Sequence, residues 1–395
     1  MKNISSFNKN IAALVTGTAI SQIISILLIP LLTRLYTPSD FGILAIFISI
    51  STIVSSIATG RYELAIADPV EEKDAYNIAG LAFIISTIFS IAVLLIVIAI
   101  LQSTGIFKSD AVGSPSWLIA IPIFIWLQSI CNIANYLLAR ERNFSAISVS
   151  NASASVTLAI SQIAMGLASL GSFGLISGQI VSRFTASVAM AKKSKLLYQM
   201  VNNCNSNRIK SLALKYIDFP KYTMWTGLIN TATNYIILFF VSALYSITTV
   251  GLYSFATRLV NLPLALVGGP IGQIYFQHAT EEARKTGKAG IVFNKTLIKL
   301  ITISTILYGI LFYFSGDIFT KLFGPEWAVS SRYARLLIPF FAIRLVSSSL
   351  SQTCTVFYRQ HHALIINISI LICNIAVIIV SFSFSLSIDS MIILY

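Results

Sequence analysis

The chain has 395 residues, of which 56% are apolar and 10% charged, and its mean hydropathy is +0.82. This composition excludes a water-soluble globular protein, because such a protein carries about 25% charged residues. The net charge of +13 does not indicate a nucleic-acid partner, since the lysines and arginines lie mostly in alternate loops between apolar segments. The composition therefore predicts a polytopic membrane protein.

Apolar runs recur along nearly the whole chain, and each has the roughly 20 residues that a helix needs to cross the hydrocarbon of a bilayer. The predicted transmembrane helices occupy 11–34, 39–59, 76–101, 116–138, 145–168, 171–191, 219–244, 249–276, 294–315, 333–357 and 362–386. A twelfth is expected to begin at Ser390 and to be cut short by the end of the chain. The predicted fold class is all-α, with about 11–12 transmembrane helices.

The basic residues predict the orientation. Nineteen lysines and arginines fall in loops on the side of the N-terminus and five on the other side. Because positively charged loops remain in the cytoplasm, the N-terminus is predicted to be cytoplasmic.

The longest polar stretch, 193–218, is basic and follows the sixth predicted helix. We interpret it as a cytoplasmic linker between an N-terminal lobe, 1–192, and a C-terminal lobe, 219–395. A weak internal repeat with an offset of 209 residues supports this division, since Leu35, Tyr36 and Gly42 recur as Leu244, Tyr245 and Gly251. Six helices in each half predict two pseudo-symmetric lobes related by an axis along the membrane normal.

Polar side chains follow one face of several predicted helices. In the second helix they step by three and four residues, at Ser49, Thr52, Ser56, Thr59 and Glu63. Such a face is costly against lipid, so it is expected to point inward. The hydroxyl groups could hold helices together or line a central cavity, and the number of amides and arginines favours the cavity.

Three arginines, Arg183, Arg258 and Arg344, lie well within predicted helices, whereas no carboxylate does. An arginine in the middle of a membrane costs several kcal/mol and marks a functional site by default. Together they predict a cationic cavity that binds an anion, and Asn261 joins them because the repeat aligns it with Thr52. Two alternatives remain open: Arg258 could bond carbonyls at the break 268–270, and Arg183 and Arg344 could extend to the membrane surface.

Further candidates lie at the ends of the first helical hairpin. Arg34 and Arg61 are possible substrate contacts, although Arg34 could be an interfacial anchor and Arg61 with Glu63 a charge pair that only sets topology. Glu63 and Asp40 are candidates for coupling or gating. The four cysteines form no CxxC motif and the histidines have no ligand spacing. No catalytic group, metal site or cofactor is therefore predicted.

Two stretches, GTAISQIISILLIPLLTRLYTPSDFG at 17–42 and RYELAIADPVEEKDAYNIAGL at 61–81, resemble the opening of bacterial polysaccharide repeat-unit flippases. These O-antigen translocases belong to the multidrug, oligosaccharidyl-lipid and polysaccharide exporter superfamily. The resemblance continues through YSFATRLVNLPLALVGGPIGQIYFQ at 253–277. The positions that match the family's pattern are Arg34, Arg61, Glu63 and Arg258.

The resemblance implies two six-helix lobes around a cationic cavity that opens alternately to the two sides of the bacterial cytoplasmic, or inner, membrane. The implied substrate is an undecaprenyl-pyrophosphate-linked oligosaccharide, moved from the inner to the outer leaflet without bond chemistry, as in lipopolysaccharide synthesis. A coupling ion, proton or sodium, and other polysaccharide assembly proteins are compatible partners.

Two other functions are weighed against this one. A multidrug cation exporter of the same superfamily would need a buried carboxylate, and the first predicted helix has none. A membrane glycosyltransferase or polysaccharide polymerase would be expected to show a large outer domain or acidic outer loops. The longest predicted outer loop, 316–332, holds only Asp317 and Glu326.

Overall fold

The computed structural model describes residues 26–103, 115–357 and 360–394, together with Gln22 and Ile24. Within these ranges the chain forms helices and connecting turns, without a strand. The first part of the first predicted helix, 11–21, lies outside the described residues.

The helices are numbered in chain order. They are α1 Ile26–Leu35, α2 Pro38–Ser55, α3 Tyr62–Ala65, α4 Glu72–Ser103, α5 Ala120–Arg140, α6 Phe144–Leu167, α7 Gly171–Lys193, α8 Leu196–Asn203, α9 Ser206–Lys215, α10 Met224–Leu244, α11 Ile247–Val260, α12 Gly269–Thr286, α13 Gly290–Asp317, α14 Ala328–Leu350, α15 Thr353–Val356, α16 Gln360–Ser383 and α17 Ile388–Leu394. Short π-helical segments precede α10 and α12 and follow α13, at Phe219–Thr223, Leu264–Gly268 and Ile318–Phe323.

Among the described residues, eight helical stretches are long and apolar enough to cross a membrane. Two shorter apolar helices, Ile26–Leu35 and Ile368–Ser383, fall within the first and eleventh predicted spans. The sixth predicted span corresponds to α7, which is less apolar because it carries Arg183 and several serines. The chain is thus a multi-pass, all-α membrane protein, as predicted.

The described helices belong to two compact units. The described residues of the first unit are those up to Tyr36 and those within Ile46–Tyr235. In it, α7 packs against α5 and α6, and α4 packs against α5 and the two linker helices α8 and α9. Fully buried side chains such as Ile78, Ile133 and Leu138 form its core.

The second unit contains Thr37–Ala45 together with Ile236–Tyr395. Here α14 packs against α11, α12 and α13. An aromatic cluster joins these elements to the start of α2, with ring centroids 4.3 Å apart for Phe255 and Trp327 and 5.0 Å apart for Phe41 and Trp327. Helix α2 therefore begins in the second unit and ends in the first. The lobe boundaries expected from the polar linker, 192 and 219, remain a prediction.

The end of the second span differs from the prediction. The sequence pattern predicts a helix to residue 59, with Glu63 continuing its polar face, but α2 ends at Ser55. The chain then turns, and Gly60 and Arg61 both have a φ of 61°. Two consecutive left-handed residues cannot belong to a right-handed helix. Glu63 therefore lies on the separate short helix α3.

Candidate functional site

The turn after α2 brings a carboxylate, an arginine and a hydroxyl together inside the first unit. The Glu63 carboxylate lies 3.8 Å from Arg61 Nη1, and only 3% of the Glu63 side chain is exposed. The Thr59 hydroxyl donates a short hydrogen bond to Glu63 Oε2. The sequence places these three residues close together, and the left-handed backbone at Gly60 and Arg61 turns their side chains toward one another.

Arg61 is held against the first turns of α10. A Cβ atom built on Gly227 would lie 2.3 Å from Arg61 Nη2 and 2.8 Å from its Nε. The Arg61 side chain is 24% exposed, whereas its Nε is buried and has no hydrogen-bond partner. Glycine at position 227 thus makes the space that the guanidinium occupies.

Glu63 is suited to bind and release a proton. Burial raises the pKa of the Glu63 carboxyl, and the Thr59 hydrogen bond and the Arg61 charge oppose this effect more weakly. Tyr136, on α5, is close enough for its hydroxyl to feel the charges of both Glu63 and Arg61. A carboxyl in such surroundings can change its charge closer to neutral pH than an exposed one.

The loop that follows α3 is fixed by an arginine from another helix. Arg140, at the end of α5, donates hydrogen bonds of 2.9 Å to the Ile66 carbonyl, 3.2 Å to that of Ala67 and 2.6 Å to that of Pro69. A guanidinium has five N–H donors, so one side chain can satisfy several carbonyls of an irregular loop.

The linker helices also bind to this region. Arg208 on α9 forms a bidentate pair with Asp74, with both N–O distances 2.7 Å. The Tyr216 hydroxyl donates to Asp68 at 2.7 Å, and burial followed by this hydrogen bond raises the pKa of Tyr216 to about 12. Sequence reasoning did not identify Arg140, Arg208 or Tyr216, and no local sequence signal relates them to residues some 70 to 150 positions earlier.

In the second unit, Arg258 is the most notable of the predicted intramembrane arginines. It lies in the last turn of α11, where its side chain has accessible surface although the guanidinium is surrounded by protein. No hydrogen bond or ion pair joins it to another residue within the described ranges. The alternative contact with the break at 268–270 is not formed there, and the Gly268 carbonyl accepts a 3.0 Å hydrogen bond from Ser349 Oγ. Asn261 is exposed just beyond the end of the same helix.

Arg344 lies on α14 beside two aromatic rings. Its guanidinium lies 5.7 Å from the ring centroid of Phe340 and 5.9 Å from that of Phe341. It also acts electrostatically on Tyr308, whose hydroxyl donates a 3.2 Å hydrogen bond to the Val260 carbonyl. The structure thus places Arg344 near the segment that carries Arg258 and Asn261.

The remaining two arginines belong to the first unit. Arg183, on α7, lies 5.8 Å from the ring centroid of Phe124 and close to the Cys131 thiol. Arg34 is exposed near the end of α1. Neither is brought next to the pair formed by Arg61 and Glu63.

Asp40 has a structural role at the start of α2. Its carboxylate accepts hydrogen bonds from the Thr37 amide at 3.0 Å and the Thr37 hydroxyl at 2.7 Å. The Thr37 hydroxyl in turn accepts a 3.3 Å hydrogen bond from the Asp40 amide. This arrangement is a capping box, which satisfies amide groups that a helix N-terminus leaves free.

The capping contact recurs at the internal repeat. With the same offset of 209 residues, Thr37 and Asp40 correspond to Ser246 and Thr249, and Ser246 Oγ accepts a 3.1 Å hydrogen bond from the Thr249 amide at the start of α11. The repeated tyrosines also correspond. The Tyr36 hydroxyl donates to the Gln162 carbonyl at 2.6 Å, and the Tyr245 hydroxyl donates to the Leu386 carbonyl at 2.8 Å.

Comparison with solved structures gives the class of fold. The lipid II flippase MurJ in an inward closed conformation aligns with a TM-score of 0.72 and 15% identity, covering 95% of this chain and 83% of that one. An inward-facing MATE family transporter of the MOP superfamily gives a TM-score of 0.70 and 16% identity, covering 96% and 90%. A mutant of the Vibrio cholerae MATE transporter VcmN gives 0.61 and 9%, covering 99% and 92%. The chain has the polytopic fold of this superfamily.

The sequence comparison gives the family. The family described as polysaccharide biosynthesis protein matches residues 31–332, and the chain belongs to it. No curated protein matches the chain. The membership predicted from residues 17–42, 61–81 and 253–277 is confirmed at the level of this family and of the superfamily fold.

Proposed function

We propose that this protein is a flippase that moves undecaprenyl-pyrophosphate-linked oligosaccharide repeat units, such as those of O-antigen, from the inner to the outer leaflet of the bacterial cytoplasmic membrane. It makes and breaks no covalent bonds, and its N-terminus lies in the cytoplasm. Family membership supports a role in polysaccharide biosynthesis. The likeness to a lipid II flippase supports transport of a lipid-linked substrate.

The observation that carries the proposal is the state of Arg258. It is an arginine on a candidate transmembrane helix, with accessible surface but surrounded by protein, and without a carboxylate partner among the described residues. An uncompensated positive charge at membrane depth is unfavourable by several kcal/mol, so a site of this kind is completed by an anionic ligand. A pyrophosphate suits it, because a guanidinium forms paired, charge-assisted hydrogen bonds with phosphate oxygens.

The other predicted residues supply the rest of the path. In the second unit, Asn261 follows Arg258 by three residues, and Arg344 acts on Tyr308, which is bonded to the end of the same helix. Both are proposed to bind the pyrophosphate and the first sugar. In the first unit, Arg34, Arg61 and Arg183 are proposed to contact the substrate at other stages of its passage. Coupling to a proton or sodium gradient is assigned to Glu63, since the carboxylate of Asp40 is already used in a helix cap. Other polysaccharide assembly proteins are expected to supply and consume the substrate.

The charges favour this substrate over the organic cations of a multidrug exporter. A cation needs a buried carboxylate that is free to receive it. In the structure the buried carboxylate of Glu63 lies 3.8 Å from Arg61 and accepts a hydrogen bond from Thr59. Multidrug transporters and a lipid flippase share this fold, so the fold does not distinguish the two functions. A genetic experiment is needed to distinguish them.

The gene is to be deleted in its host, and lipid-linked oligosaccharides are to be extracted and identified. A flippase predicts that one intermediate accumulates on the inner leaflet while surface polysaccharide disappears. Unchanged intermediates together with new drug sensitivity would support the exporter and contradict the flippase.

The deletion strain is then complemented with variants at the anion site. Arg258→Ala is expected to lower surface polysaccharide at least about tenfold, because the pyrophosphate loses its counter-charge. Arg258→Lys should also impair transport, since an ammonium group lacks the planar pair of donors. Arg284→Ala, which removes an exposed arginine at the end of α12, is the matched control and should transport normally. Equal display in all variants would remove Arg258 from the mechanism.

A further inference from the structure

The first turns of α2 and α11 cross at two glycines. A Cβ atom on Gly251 would lie 1.7 Å from the Pro38 carbonyl oxygen and 2.9 Å from the Gly42 amide nitrogen. A Cβ atom on Gly42 would lie 2.1 Å from the Ile247 carbonyl oxygen. Only glycine allows two helix backbones to approach this closely.

The crossing is reciprocal within the internal repeat. Pro38 and Ile247 are separated by the same 209 residues as Gly42 and Gly251. Each glycine therefore rests on the carbonyl that its counterpart's helix offers at the equivalent position. The contact is therefore made by equivalent atoms of the two hairpins.

The contact lies between two capped helix starts. The carbonyls that it touches belong to the first residue of each helix, and both helix starts are held by caps, at Thr37 and at Ser246. Phe41 directly precedes Gly42, Phe255 lies about one helical turn after Gly251, and the centroids of the two rings are 5.9 Å apart. A backbone carbonyl, unlike a long side chain, cannot rotate away from an added methyl group.

The same helix face leads to the anion site. Gly251, Ser254 and Arg258 are separated by three and four residues and so lie on one face of α11. Arg258 is two helical turns from the crossing, about 10 Å along the axis. By the predicted orientation, the crossing lies at the outer end of this face.

We propose that the crossing of Gly42 and Gly251 is the outer seal of the transport path, closed in this structure and opened once in each transport cycle. The inference rests on the proposed function for its direction, since the outer face follows from the predicted orientation. Opening this seal also separates the rings of Phe41 and Phe255, which pack against each other and against Trp327. A side chain at either glycine holds the crossing apart and favours the state that is open to the outside.

The first test measures access from outside and needs no knowledge of the substrate. The native residues Cys131, Cys204, Cys354 and Cys373 are replaced by serine or alanine, and Ser254→Cys is introduced as a reporter one turn inward of the crossing. Intact cells are treated with a membrane-impermeant maleimide. Labelling of the reporter is expected to be at least about tenfold faster with Gly42→Ala or Gly251→Ala than without them.

Gly309→Ala is the matched control, because a Cβ atom there meets nothing within 4 Å. It should leave labelling and surface polysaccharide unchanged. Unchanged labelling in both crossing variants would overturn the seal even if their transport is lost, since the contact would then be static packing.

The second test keeps both glycines. Phe41→Cys and Phe255→Cys are combined in the same background and joined with a short reversible dithiol reagent. The cross-link is expected to abolish surface polysaccharide, and reduction is expected to restore it, because the seal can no longer open. Transport by the cross-linked protein would overturn the proposal. The cross-linked protein also separates the seal from the proposed function. If export is lost but the lipid-linked intermediate does not accumulate, the seal is supported and the proposed substrate is rejected.

Discussion

At the scale of single residues, the site formed by Thr59, Arg61 and Glu63 depends on a glycine that precedes no turn and lies within helix α10. Gly227 is needed because the Arg61 guanidinium occupies the space of its missing side chain. Arg61, in turn, has a left-handed backbone that its own side chain disfavours. Positions of this kind keep strain where a specific side-chain placement is required.

Gly227→Ala is therefore expected to destabilise the protein by about 1–3 kcal/mol, the usual cost of overpacking, because the new methyl group displaces Arg61. In an Arg61→Ala background the same change should be neutral or stabilising, since alanine is preferred to glycine within a helix by up to about 1 kcal/mol. Thermal unfolding in detergent of the two single variants and the double variant measures the coupling. Additive effects would show that the guanidinium is not what the methyl group meets.

At the scale of elements, the short helix α3 and its loop have little structure of their own. The loop carbonyls of Ile66, Ala67 and Pro69 are satisfied by Arg140 from α5, and α9 closes the region through Arg208 and Tyr216. The position of Glu63 thus depends on helices that precede and follow it by many residues in the sequence.

Arg140→Ala should loosen this loop without unfolding the protein. Each charge-assisted hydrogen bond to a carbonyl contributes about 1.5–3 kcal/mol at most, and several are lost together. Hydrogen exchange of peptides covering 61–70 is expected to accelerate at least about tenfold, while α13 is unaffected. Arg142→Ala, an exposed arginine two residues later, is the control. Equal exchange in both variants would mean that the loop is held by other contacts.

At the scale of the whole molecule, Glu63 makes stability depend on pH. Burial raises the pKa of its carboxyl, so the folded protein binds this proton more tightly than the unfolded chain does. Its contribution to stability is most favourable below the ordinary pKa of a glutamate and is lost as pH rises through the raised value. Glu63→Gln keeps a neutral side chain at every pH and avoids this loss.

The thermal midpoints of the wild type and of Glu63→Gln should therefore converge near about pH 4 and diverge toward about pH 8, with the variant more stable at the higher pH. In a chain of this length a difference of about 1 kcal/mol corresponds to roughly 1 °C. Glu281→Gln, at an exposed position, should show no such divergence. Midpoints of the wild type and Glu63→Gln that stay parallel across the range would contradict a raised pKa.

The membrane fold could be predicted from the sequence because a helix that crosses lipid needs an uninterrupted apolar length, whatever its neighbours are. The cap at the start of α2 could also be predicted, because TPSD at 37–40 places an acidic residue three positions after a threonine. The end of α2 could not be predicted. Ser56, Thr59 and Glu63 keep helical spacing in the sequence, although the backbone leaves the helix after Ser55. Contacts such as Arg61 with Gly227 depend on tertiary packing and have no local signal.

The reciprocal crossing has a consequence for how such a chain could arise. Gly42 of the first hairpin lies against the Ile247 carbonyl of the second, and Gly251 of the second lies against the Pro38 carbonyl of the first. Such a two-way contact between equivalent residues is the defining property of an isologous interface. A polypeptide with a single copy of the hairpin already carries both sides of the contact. It could associate with itself as a symmetric homodimer before any gene fusion joined two copies. After fusion, a substitution at one glycine would still have to fit the unchanged backbone of the other hairpin.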